Sequence, residues 1–512
     1  MGSGVGPEPV STCLSIRTKI RSGEGFLTAI DAGATAPPKP QFSEGYKTTV
    51  LGLLVLAYTF NFIDRTIIST IGQAIKVDLG LTDTQLGLLG GLAFALLYTT
   101  LGIPIARLAE RGNRVNIISI SIVIWSAFTA LCGMANNFLM LILFRLGVGV
   151  GEAGLSPPAH SLISDYYEPK RRATALSIYS FGIPLGTMFG AVAGGWLAQN
   201  VSWRAAFVVV GLPGILVALA LKIFVKEPPR GYSEQVAVVD TPILEGEETV
   251  PPVAIKPPSI LAVAKRIFGR WGFFHMVAGI TVASFASYGT GQYQAAYFIR
   301  MFGLDLATVG LIFGLVGGVA AGVGTLLGGF LTDWAGKRSG RWYALVPALG
   351  LLIACPLYIL VYLQNDWRWA AALLLLPGIF HYTYLGPTFG VIQNAVSLRM
   401  RATATALLFF VLNLIALGFG PPFCGWCIDM ISQHLFAANN MGDFFTLCPG
   451  GIGAPGAGPV VDAACRAAIA EGSRQGIIWN LLIYAWAGVH YLLAAITLPK
   501  DMATALSASN ED

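Results

Sequence analysis

Charge is scarce in this chain. Asp, Glu, Lys and Arg make up 12% of its 512 residues, about half the share found in ordinary soluble domains. Histidine is rarer still, at five residues. That composition does not suit the surface of a water-soluble globule, and a net charge of +5 is too small for a nucleic-acid-binding protein. The motifs of several enzyme classes are missing too. There is no HExxH pair for zinc, no GxSxG elbow, no pair of catalytic aspartates in the apolar stretches, and no GxxxxGK[ST] loop for a nucleotide. These absences speak against an enzyme, against a metal or other cofactor, and against transport driven by ATP. Residues 1–47 lack the apolar core of a signal peptide and read as a Pro/Gly-rich, disordered cytoplasmic tail. Cysteines are few and scattered. Cys424 and Cys427 have CxxC spacing without a second pair and lie in an apolar stretch, which suits helix packing better than metal or redox chemistry. Cys448 and Cys465 share a long polar loop and are candidates for a disulfide in an oxidising compartment.

What is abundant is hydrophobic sequence, at 55% of residues and a mean hydropathy of +0.67. Apolar runs of about twenty residues, each enough to cross a bilayer as a helix, recur along the chain. They predict an all-α polytopic membrane protein with spans at 49–70, 85–107, 115–135, 137–160, 173–197 and 205–225, then 272–293, 306–330, 341–363, 369–394, 402–427 and 476–498. The organisation is six plus six: one bundle over 48–225, a polar cytoplasmic linker over 226–270 with a short surface helix near 258–268, a second bundle over 271–498, and a cytoplasmic tail over 499–512. With the N-terminus inside, 24 of the 32 Lys and Arg residues fall on the cytoplasmic side. Only Lys76, Arg204, Arg300, Arg368, Arg466 and Arg474 fall on the opposite side, and both termini are expected in the cytoplasm. Residues 429–475 form an extracytoplasmic loop in this reading.

The bundles repeat in sequence. Pro158 precedes Arg172-Ala-Thr-Ala175 by the same interval that separates Pro387 from Arg401-Ala-Thr-Ala404. Likewise Ala106-Arg-Leu-Ala-Glu110-Arg-Gly-Asn-Arg114 matches Gly329-Phe-Leu-Thr-Asp333-Trp-Ala-Gly-Lys337-Arg338 in nearly the same register. Parallel repeats with a binding site between them are a known transporter plan.

The most informative residues are charges inside spans: Asp64 and Arg65 in the first, Arg145 and Glu152 in the fourth. Ionisable groups at membrane depth cost at least a few kcal/mol and are usually functional. Asn61, Asp64 and Arg65 are spaced to share a helix face. Arg145 and Glu152 are two turns apart, too far to bond each other easily. A carboxylate whose arginine partner comes and goes can take up and release a proton. Asp64 and Glu152 are therefore proton candidates, with Arg145 coupling them to an anionic substrate. A static ion pair that fixes packing is the competing reading, and applies most to Arg65.

The Glu110…Arg114 and Asp333…Arg338 segments resemble the loop signature of the major facilitator superfamily, with Ala106 and Glu110 departing from its usual Gly and Asp. Within that superfamily, Asn61-Phe-Ile-Asp64-Arg65 and Arg145-Leu-Gly-Val-Gly-Val-Gly151-Glu152-Ala153 are similar to the Spinster family of lipid transporters. The resemblance covers residues 48–498. It implies the major facilitator fold, two pseudo-symmetric six-helix bundles, and a proton-linked carrier of lysolipid- or sphingolipid-like amphiphiles. It also implies alternating access in a bacterial inner membrane, with Asp64, Arg145 and Glu152 as the working polar core. A small organic anion is the alternative cargo; a channel or receptor is the alternative class. A monomer surrounded by membrane lipids, using a proton and its cargo as partners, is the expected working unit.

Glu110 and Asp333, with Arg111, Arg114, Lys337 and Arg338 around them, are candidates for an inner gate in which each acid caps a helix of the other bundle. Gln292, Tyr293 and Tyr297 in the seventh span, His381 and Tyr384 in the tenth, and Asn413 in the eleventh are candidate cavity-lining residues.

Overall fold

Residues 42–233, 259–396 and 400–509 are described here in a computed structural model. Among them there is no strand. The helices in chain order are α1 (Glu44–Leu79), α2 (Asp83–Arg111), α3 (Arg114–Cys132), α4 (Phe138–Tyr166), α5 (Thr174–Asn200) and α6 (Trp203–Phe224). After the linker come α7 (Ile260–Phe268), α8 (Trp271–Phe302), α9 (Leu306–Gly336), α10 (Trp342–Tyr362), α11 (Trp367–Asn394), α12 (Thr403–Ala437), a short α13 (Phe444–Leu447), and α14 (Gly458–Ser509). Eleven are long and apolar enough to cross a membrane. The 32-residue α8 also packs among them, its central turns carrying Ser284, Ser287, Thr290, Gln292 and Gln294.

Local chemistry sets the helix ends. Thr82 and Gln85 form a reciprocal capping box at the start of α2. Asn113, Asn137, Ser202 and Ser259 cap α3, α4, α6 and α7 through their side chains. Asp305 caps α9, and the Thr308 amide and hydroxyl hold its carboxyl below the usual carboxylate range. Gly303 ends α8 at φ +68°, a backbone conformation that L side chains rarely adopt.

Small residues let the two helix groups approach. A Cβ on Gly195 of α5 would lie 2.4 Å from the Leu306 carbonyl oxygen, and one on Gly310 of α9 2.3 Å from that of Ala191. Gly195 and Gly310 thus bring α5 of the first group directly against α9 of the second.

Several boundaries differ from the sequence reading. The first span starts at Glu44 and runs on to Leu79, beyond the apolar run, because Lys76 is buried by partners described below. The expected loop at 429–475 is mostly helical. α12 continues to Ala437 and α14 begins at Gly458, leaving the turns of 438–457 between them. The expected tail over 499–512 continues α14 as far as Ser509, with Asp501 accepting a bond from the Gly272 amide at the start of α8. The helix expected near 258–268 is α7. Residues 1–41 of the expected tail and 234–258 of the linker lie outside the described residues.

Cys448 and Cys465 are joined, tying the 438–457 turns to the first turns of α14; Cys132, Cys355, Cys424 and Cys427 are free and buried. The end of the bundle carrying this crosslink is called the disulfide end below, and the end carrying Glu110 and Asp333 the basic end. Closing a loop of 17 residues stabilises it by about 3 kcal/mol on the chain-entropy argument. Cys448→Ser is therefore expected to speed hydrogen exchange at the amides of 444–457 while leaving the spans protected, as read by mass spectrometry.

Candidate functional site

Adjacent residues on a helix point about 100° apart, so Asp64 and Arg65 on α1 meet different partners. Asp64 is 2% exposed, accepts a 2.5 Å bond from the Thr129 hydroxyl of α3, and faces Arg145 of α4 at 3.5 Å. Arg65 donates instead through Nε to Glu152 of α4 at 2.6 Å. Two crossed ion pairs therefore tie α1 to α4. Arg65 does not neutralise its neighbour Asp64. Its guanidinium lies over the rings of Tyr98, Phe94 and Phe62 at 4.6, 4.7 and 5.1 Å, and its side chain keeps 21% exposure where the other three charged groups are sealed.

The cluster is incompletely satisfied. Among the described residues, Arg145 Nε, Glu152 Oε1 and both amide atoms of Asn61 have no hydrogen-bond partner. A buried polar group without a partner costs about 1–3 kcal/mol, so the site retains capacity for a proton or a ligand group. Glu152 is held close to α3 because Gly151 lies against the Trp125 backbone, where a Cβ would come within 2.5 Å of the amide nitrogen.

One turn further along α1, a cavity of about 190 Å³ opens between the helix groups, bounded by α1, α5, α8, α9, α10, α11 and α14. His381 lines it, with Nδ1 3.4 Å from the Tyr358 hydroxyl and Nε2 3.3 Å from that of Tyr484. Tyr384 lies one layer behind, stacked on His381 and bonded to Ser284. On α8, helical rotation selects the neighbours of the expected residues: Ser287, Gly291 and Gln294 face the cavity. Gln292 packs against Gly90, Tyr293 donates to the Asp83 carbonyl at 2.5 Å, and Tyr297 donates to the Tyr362 carbonyl. All three are buried in helix contacts and do not line this cavity. Nor does Asn413, whose amide bonds the Phe409 carbonyl where α12 widens into a π-helical turn over Leu412–Leu417.

The expected gate contacts are also absent from their expected positions. Glu110, Arg111, Asp333, Lys337 and Arg338 are exposed at the basic end. The helical turns that lead into α5 and α12, starting at Pro169 and Arg401, carry no side-chain cap. Arg114 is fully buried within its own group, bound to Asp165, Glu227 at 2.5 Å, Ser161 and the Pro228 carbonyl. It anchors the start of the linker and does not bridge the halves.

The bridging contact is found at the disulfide end. Asp429 of α12 accepts bonds from the backbone amides of Asp83 and Thr84, at 2.9 and 2.7 Å, and from the Thr84 hydroxyl at 2.6 Å. A carboxylate from one half thus caps a helix N-terminus of the other. Beside it, Asp83 takes Lys76 of α1 at 2.5 Å and both terminal nitrogens of Arg300 from α8, at 3.1 and 2.6 Å. Arg300 also reaches Gln73 and Ser473 at 2.7 Å each. Sequence reasoning assigned no role to Lys76, Asp83, Arg300 or Asp429. The available signal was that Lys76 and Arg300 are exceptions to the basic-residue bias. Removing one member of a buried pair costs about 3–5 kcal/mol. Asp83→Asn is expected to destabilise this closure by that order, lengthening the distance between spin labels placed at the exposed Val201 and Val460.

Residues 54–421 match the profile of the Major Facilitator Superfamily. A bacterial homologue of the human lysosomal transporter Spinster, solved in an inward-facing and unoccupied conformation, superposes with a TM-score of 0.81. It is 36% identical and covers 90% of this chain and 99% of its own. The sphingosine-1-phosphate transporter of Xenopus tropicalis is 26% identical over 82% of this chain and 82% of its own. The probable L-galactonate transporter of Escherichia coli is 25% identical over 76% of this chain and 84% of its own. With its two helix groups, its crossed charges on α1 and α4 and its interfacial cavity, the chain belongs to the major facilitator superfamily and, within it, to the Spinster family of transporters.

Proposed function

We propose that this protein is a proton-coupled secondary carrier of an anionic amphiphile that works by alternating access in a bacterial inner membrane, with both termini in the cytoplasm. The observation that supports it most directly is the Arg65–Glu152 pair: a buried carboxylate with one unpartnered oxygen, held by the one core arginine that keeps some exposure. A proton arriving at Glu152 neutralises the carboxylate and weakens its hold on Arg65. The guanidinium is then available to an anionic group entering from the cavity. Return of the guanidinium favours loss of the proton. Arg145, which the sequence suggested as the substrate-facing arginine, is 1% exposed; in this cycle it holds Asp64, the second proton site.

On this orientation the disulfide end is extracytoplasmic, and a closed network there corresponds to an inward-facing state. Glu110 and Asp333 then form their cross-half contacts in the opposite state, when the outer network has separated. The small volume of the cavity favours a second reading, a compact organic anion as cargo.

The test uses proteoliposomes with an internal pH dye, presented with lysolipids, sphingoid lipids and small organic anions. Wild-type protein should show substrate-induced proton flux with an amphiphile, and Glu152→Gln should abolish it. Equal flux in both proteins would remove the proton from Glu152. Flux with small anions alone would replace the cargo.

A further inference from the structure

The charges of the site end at Arg65. Arg65 lies one turn before the cavity and no carboxylate, ammonium or guanidinium lines the cavity itself; its polar wall is hydroxyls, one amide and tyrosines around His381, and the rest is apolar, with Phe313, Val316 and Leu374. We infer that this cavity is a subsite for the hydroxyl-bearing part of the cargo, so that the preferred ligand is a polyol carrying an anionic group, with the anion at Arg65 and the hydroxyls one turn deeper. This rests on the reading of Arg65 as the anion site.

Hydrogen-bond roles point to that chemistry. The Ser69 hydroxyl donates to the Thr66 carbonyl at 2.8 Å, which leaves its lone pairs available to accept. Thr290 accepts from the Asn480 amide at 2.9 Å, so its own proton is available to donate. A wall offering both acceptors and donors, with Gln294 supplying either, suits groups that themselves donate and accept, as alcohols do. A quaternary ammonium can do neither. It would need open aromatic faces, and here the rings pack on one another. Tyr358 stacks on Tyr484 at 5.8 Å, while His381 packs against Tyr382 at 4.5 Å and Tyr384 at 5.6 Å.

Position and size agree. Ser69 lies one helical turn beyond Arg65 on the same face of α1, about 6 Å along the axis. That is the reach from an anionic group to the hydroxyls of a phosphoglycerol headgroup or of a sugar acid. Pockets that enclose a drug-sized ligand measure about 300–1,000 Å³. A cavity of about 190 Å³ therefore takes a headgroup and not an entire amphiphile.

The test is equilibrium binding to the purified full chain with no proton gradient, so that it does not depend on coupling. The probes are 1-acyl phosphoglycerol, 1-acyl phosphocholine with the same chain, and glycerol phosphate without a chain. The phosphoglycerol lipid should bind roughly ten-fold tighter than the phosphocholine lipid, the effect of one or two hydrogen bonds. Ser69→Ala on one half and Gln294→Leu on the other should each erase most of that difference. Glycerol phosphate alone binding comparably would support the polyol site with a small cargo; a need for the chain would support it with a lipid cargo. Equal or tighter binding of phosphocholine, or variants that weaken both lipids alike, would overturn the inference. Arg65→Gln separates the two layers of the argument. If it weakens every anionic probe while Ser69→Ala and Gln294→Leu change no preference, the anion site stands and the polyol subsite falls. If it weakens none, the anion site itself falls and takes the polyol inference with it.

Discussion

An ion buried in a bilayer protein must find a counter-ion or a set of dipoles, because lipid and dry protein solvate it poorly. That constraint organises this molecule. Among the described residues the buried charges form three groups, one in the core of the first half, one around Arg114 at the basic end, and one where the halves meet at the disulfide end. The close glycine contacts of α5 with α9 and the cap that Asp429 places on α2 bring the halves near enough for Asp83, already paired with Lys76 of its own half, to reach Arg300. Had the halves stood further apart, Asp83 would face Arg300 across water, and the closure would be weak and salt-sensitive.

Much of this plan was legible in the sequence. Twenty-residue apolar runs, a six-plus-six division and a repeated loop motif give the architecture, because membrane insertion leaves so few alternatives. Asp64, Arg65, Arg145 and Glu152 stood out for the same reason: charge at membrane depth is conspicuous. What sequence could not show was which charge meets which. Asp64 and Arg65 are spaced to share a helix face, yet helix rotation sends them to different residues of α4. The α8 residues failed in the same way. Tyr293 and Gln292 have the chemistry of cavity residues, yet Ser287, Gly291 and Gln294 take that face, and only the packing angle of α8 decides between them.

The network at the disulfide end was hidden for another reason. Lys76, Asp83, Arg300 and Asp429 sit at span ends, where charges are normally solvated, so their burial follows from the approach of the two halves and not from any local pattern. The repeat was misleading here as well. It directed attention to Glu110 and Asp333 at the basic end, whereas in the described state the cross-half carboxylate cap is made at the disulfide end. A carrier that closes one end at a time has to hold such contacts at each end in turn, and a sequence carries no mark of which set is formed.

Where each ion pair sits determines which step can break it. The Asp83–Arg300 contact spans the halves, so any rocking that opens the disulfide end must separate it, and both groups then need water. Opening there and hydration are consequently one event. The Arg65–Glu152 and Arg145–Asp64 pairs lie wholly within the first half and can survive rocking unchanged. Only a group arriving from outside the pair, a proton or an anion, has reason to disturb them. α1 carries members of both clusters, with Gln73 and Lys76 about 12 and 17 Å beyond Arg65 along its axis. A change at Arg65 can reach the second half through the cavity that both halves line, through α1, or through α2, whose Phe94 and Tyr98 lie under the guanidinium and whose first turn Asp429 caps. A cargo bridging Arg65 and the α8 wall would hold the halves by its own bonds, and that differential contact is what a coupled carrier requires to make the state of its proton site matter to its shape.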